Sequence, residues 1–73
     1  MKIVEVTWVD AASVANAWCS PEPADCWRCK STGYLVHRDK DKILLAQSEC
    51  LENNEVMNTM VIPRGCVTDI KEL

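Results

Sequence analysis

Apolar and polar positions change period along this chain, and each change marks an element. From Lys2 to Val9 they alternate, with Val4, Val6 and Trp8 on one side and Glu5 and Thr7 on the other, as in a strand with one buried face. The alternation then gives way to helical spacing. Val14 and Trp18 stand four apart within Ala11–Trp18, which predicts a short helix capped by Asp10 or, in a shorter version, by Ser13. Pro21 and Pro23 end it, and residues 19–30 read as an irregular loop. Period two returns over Thr32–Ser48, where Tyr34 and Val36 oppose Leu35, and Ile43 and Leu45 oppose Leu44, around the hinge Arg38-Asp39-Lys40-Asp41-Lys42. This is a hairpin with a charged turn that cannot be buried. Asn53-Asn54 tolerates left-handed backbone, Val56–Ile62 predicts another strand, Pro63 ends it, Gly65 permits a tight turn, and Val67–Lys71 closes the chain as a short strand.

That order predicts a mainly β fold in one domain over residues 1–73. Both faces of the central hairpin are partly apolar, so the sheet must curl into a small five-stranded barrel or cover one face with a partner. Composition sharpens the second alternative. The hydrophobic fraction is 48% without a single phenylalanine, leaving Trp8, Trp18, Trp27 and Tyr34 as the heavy anchors. A core this thin in 73 residues gains from assembly, and a homo-oligomer is expected. The 8 basic and 11 acidic residues give a net charge of −3, and Arg38, Lys40 and Lys42 are interleaved with Asp39 and Asp41, which argues against a nucleic-acid backbone as partner. The N-terminus runs directly into a strand, and no stretch approaches a membrane-spanning length, so the expectation is an intracellular protein without membrane contact.

The candidate chemistry is sparse. Cys26 and Cys29 have the two-residue spacing of a zinc pair, with Cys19, Cys50, Cys66 or His37 as further ligands, but no second pair accompanies them. Free thiols are the starting assumption, no metal or cofactor is expected, and a zinc-stabilised interaction module stays as the third reading. His37 is the only histidine, and neither paired carboxylates, a phosphate loop nor a nucleophile elbow stands beside it, so no enzyme is expected. The most distinctive constellation is Trp8, Asp10, Ser13 and Trp18. Packing anchors with two capping residues account for it in one way. In the other, indole faces stack on a planar ligand while Asp10 and Ser13 read its polar edges, with Tyr34 nearby or from a neighbouring subunit and Arg64 neutralising an anionic group.

Val6-Thr7-Trp8-Val9-Asp10-Ala11, then Ser13 and Trp18, Ser31-Thr32-Gly33-Tyr34-Leu35-Val36, Ile62-Pro63-Arg64 and Ile70-Lys71-Glu72-Leu73 together resemble a group of small bacteriophage proteins of uncertain role. The hairpin, tight turn and closing strand also resemble an Sm-like small barrel. The resemblance implies a phage accessory protein in the host cytoplasm. Capture of a small anionic, nucleotide-like ligand to counter host defence is the first expectation, and inhibition or adaptation of a host protein the alternative. It implies no catalytic residues.

Overall fold

The computed structural model describes residues 1–10 and 27–73. They form β1 (Ile3–Asp10), β2 (Trp27–Arg38), β3 (Lys42–Glu49), β4 (Val56–Pro63), a 3-10 turn (Arg64–Cys66) and β5 (Val67–Glu72). All pairings are antiparallel, in one sheet of order β4-β3-β2-β1-β5. The helix expected over Ala11–Trp18 lies outside the described residues, as does most of the expected loop. Trp27–Lys30, placed in that loop by the sequence, belong instead to β2 and pair with Asp10–Thr7.

β2 serves two partners in turn. Its first part runs along β1 from Trp27↔Asp10 to Tyr34↔Ile3, and its last part runs along β3 from Tyr34↔Ala46 to Arg38↔Ile43. Gly33 sits where the partner changes. A Cβ there would lie 2.8 Å from the Ala46 carbonyl oxygen, so only glycine lets β2 pass this close to β3. Beyond it, a bulge between Leu35 and His37 adds to the bend.

The bend folds the sheet around one core. Val4 and Val6 of β1, Ile43 and Leu45 of β3 and Ile62 of β4 are buried together, with Trp8, Leu35, Val67 and Ile70 packed against them, so every strand contributes. Curling also brings the Ser31 hydroxyl of β2 within 3.7 Å of the Met60 sulfur of β4, past the intervening β3. The sheet nevertheless stays open, which corrects the closed barrel. β5 is committed to β1 and β4 to β3, and no ladder joins β4 to β5 although only three residues connect them. Each therefore keeps one edge without a partner among the described residues. Within β4, Asn58 takes a left-handed conformation (φ 56°), with its side-chain amide donating to the Gln47 side-chain oxygen at 2.7 Å. Asn54 is left-handed too (φ 60°), as the turn at Asn53-Asn54 predicts.

Asp39 organises the charged hinge. Its Oδ1 accepts the amides of Asp41 (2.8 Å) and Lys42 (2.9 Å), and its Oδ2 lies 2.8 Å from His37 Nε2. The His37 hydrogen bond, then the two amides, with a smaller part from the Lys42 charge, hold the Asp39 carboxyl well below the usual carboxylate range. A depressed folded value means that the carboxylate's contribution to stability is fully present above the unfolded value of about 3.9 and is lost as pH falls through the folded one. We therefore expect Asp39→Asn, which keeps the acceptor for the amides, to be less stable than wild type at neutral pH. The gap should narrow steadily below about pH 4 in urea titrations. A constant gap down to the lowest pH would contradict this role.

Candidate functional site

The end of the sheet where β1 finishes collects the chemistry. Trp8 and Asp10 stand two residues apart on β1 and so share a face, the one that also carries the buried Val4 and Val6. Register places Cys29 opposite Trp8 and Trp27 opposite Asp10, and cross-strand partners share a face as well. Trp8, Asp10, Trp27 and Cys29 thus form one side-by-side group. On the far side of β1, Val67 pairs with Trp8, so the 3-10 turn holding Arg64 enters the sheet next to this group and lies against β1. The Arg64 amide donates to the Asp41 carbonyl at 2.8 Å, tying this corner to the hinge.

The two indoles differ in role. Trp8 is half-buried against the core, and its Nε1 donates to the Ser31 hydroxyl at 3.0 Å. That ring is held in the fold and cannot present both faces to a ligand. We expect Trp8→Phe to cost about 0.5–1.5 kcal/mol through loss of this bond, read from the denaturation midpoint at fixed protein concentration. Trp27, by contrast, is 64% exposed beside the exposed Asp10. It is the residue that sequence reasoning left out of the site. The signal was the pairing register, which places Trp27 opposite Asp10 once β2 is extended back toward the loop.

The other candidates separate. Tyr34 pairs with Ile3 and therefore lies on the face opposite Trp8, about 17 Å along the strand from it. A single chain does not bring Tyr34 to the cluster, and it joins only if a neighbouring subunit supplies it. Arg64 is half-buried at the corner. Ser13 and Trp18 lie outside the described residues, as do Cys19 and Cys26. Cys29 and Cys66 are half-buried and Cys50 is exposed. Among the described residues no three His, Cys, Asp or Glu side chains are placed to hold a metal ion. His37 is engaged with Asp39 at the hinge.

Fold and site together define a small antiparallel β protein with one curled, open sheet and an aromatic and acidic cluster at one end. No family model, curated protein or solved structure matches the chain.

Proposed function

We propose that this protein is a non-enzymatic phage accessory protein that works as a homo-oligomer with an Sm-like, barrel-like subunit, captures a small anionic, nucleotide-like ligand in the host cytoplasm and so counters a host defence. The observation that carries the reading is the exposed Trp27 ring set in register beside Asp10, with the Arg64 corner on the other side of the same strand. An open indole face stacks on a planar ring, a carboxylate accepts from its edge donors, and a guanidinium binds phosphate in a planar, bidentate manner. Binding alone fulfils this function, so no catalytic group is required. Ser13 and Trp18 remain in the proposed site on the sequence pattern, and Tyr34 as a contribution from a neighbouring subunit. The edges of β4 and β5, without a partner among the described residues, support assembly, since an open edge is a template for another strand.

Isothermal calorimetry against cyclic and linear nucleotides tests this reading. The wild-type protein is expected to bind at least one of them. Trp27→Ala, Asp10→Ala and Arg64→Ala should each weaken that binding about tenfold or more while leaving a folded protein, the loss expected of removing a principal contact. Failure of the wild type to bind any member of the panel would overturn it.

The second reading, an inhibitor or adaptor that binds a host protein, draws on a different feature. Met57 and Val61 of β4 are 65% and 58% exposed, apolar side chains of the kind that anchor a protein interface.

A further inference from the structure

Hydrogen bonding alternates along an antiparallel strand, and that alternation shows which groups of β2 are left over. The Leu35 amide donates to the Lys2 carbonyl, which makes Leu35 and Lys2 a hydrogen-bonded pair. The unbroken β1–β2 register then assigns Gly33, Ser31, Cys29 and Trp27 to bond β1 as well. The Leu73 amide donating to the Ile3 carbonyl agrees, because it gives the odd-numbered residues of this part of β1 to β5. It follows that Arg28, Lys30, Thr32 and Tyr34 turn their amides and carbonyls away from β1. Tyr34 meets β3 at Ala46, but β3 follows β2 no further in that direction. Arg28, Lys30 and Thr32 are thus left with a row of donors and acceptors that no described strand uses.

This edge borders a groove of about 310 Å³ where β2 and β3 part, lined by Ser31, Thr32, Leu45, Gln47, Asn58 and Met60 among others. It also lacks the bulge and the proline that interrupt other edges, and the charges it does carry, Arg28 and Lys30, are of one sign. Along Trp27–Tyr34 there is no bulge in the β1–β2 register and no proline, whereas β4 carries left-handed Asn58 and ends in Pro63, and the β1–β5 ladder is broken between Thr7 and Trp8. Lys30 stays largely exposed although its ammonium is 3.6 Å from the Glu5 carboxylate, so the two cations repel a basic segment and admit an acidic one.

We infer that the edge of β2 from Arg28 to Thr32 is a docking strand for an extended peptide segment of a partner protein, one that alternates acidic and apolar side chains. The alternation follows from the two faces. On the outer face an added strand would lie beside Arg28, Lys30 and Thr32, where acidic side chains complement the exposed guanidinium and the partly neutralised ammonium. On the inner face it would lie beside Cys29 and Ser31, over Leu45 and Met60, where small apolar side chains fit. Backbone bonds supply the affinity and the alternating side chains the selectivity.

Residue-resolved amide hydrogen exchange on the full chain tests this, with a short capped peptide alternating valine and glutamate as the ligand. In the free protein the amides of Arg28, Lys30 and Thr32 exchange fast, while those of Cys29 and Ser31 are protected by β1. Saturating peptide slows the first set about tenfold or more and leaves the second unchanged, the pattern of a newly paired edge. A peptide with lysine in place of glutamate does not. Lys30→Pro removes an edge donor without removing a β1–β2 bond and abolishes the effect, and Arg28→Glu, which leaves the backbone intact, weakens it several-fold. Three results overturn the inference: protection of Arg28, Lys30 and Thr32 already in the free protein, no slowing with the acidic peptide, or equal slowing with both peptides.

Discussion

Ile43→Ala is expected to remove a large share of the protein's stability at room temperature. Ile43 has no exposed surface, pairs with Ile62 across the β3–β4 ladder, and belongs to the cluster to which all five strands contribute. Truncating a buried isoleucine to alanine costs about 2–5 kcal/mol, because the lost transfer energy is compounded by a cavity that a close-packed interior fills only partly. A chain of 73 residues has about 4–11 kcal/mol of stability to lose, at 0.05–0.15 kcal/mol per residue. Val61→Ala on the exposed side of β4 is the matched control and should shift stability by no more than about 0.5 kcal/mol. Guanidinium titrations of both variants at one protein concentration check the pair, because the proposed assembly would make stability depend on concentration. Equal, small shifts would mean that the interior of the curl is not the core.

Gly33→Ala should be costly for a different reason. Nothing apolar is lost; one methyl group is added, and it meets a backbone oxygen rather than the movable end of a side chain. Relief requires β2 to move away from β3 at the Tyr34↔Ala46 pair, the one β2–β3 pair among the described residues whose β2 member is also paired with β1. Overpacking of this kind costs about 1–3 kcal/mol. Because Gly33 is where β2 changes partners, the damage should spread to the separation of the two halves of the sheet. The expected result is a lowered denaturation midpoint together with faster exchange of amides near Tyr34 and Ala46. By contrast, Gly65→Ala places its methyl in open space and should change little.

These two positions also mark how far the fold could be read from the sequence. β1, the Thr32–Ser48 hairpin, the Asn53-Asn54 turn, the corner at Gly65 and the closing strand all stand where period two and turn chemistry put them. The start of β2 did not show, for a physical reason. Its inward series, Cys29, Ser31 and Gly33, is made of small side chains, so the segment buries one face without displaying alternating hydropathy, and the prolines just before it suggested a loop. For the same reason local pattern does not bring Trp27 into the candidate site, since only the register puts it opposite Asp10. The proximity of Trp8 and Asp10 was legible because two-residue spacing on a strand requires it. Their division of labour was not, because the bond from Trp8 to Ser31 links residues far apart in the chain. Closure of the sheet was beyond local pattern altogether, because it depends on whether β4 and β5 pair, and each strand's alternation is satisfied by one partner.

Native mass spectrometry of the protein purified from infected host cells tests the central claim, capture of a small ligand by an assembled protein, most directly. The account predicts an oligomer carrying a retained small molecule that is released on denaturation and absorbs as a nucleotide, with Trp27→Ala purified the same way remaining oligomeric but empty. A bare monomer, or a one-to-one complex with a host protein and no small molecule, would contradict it.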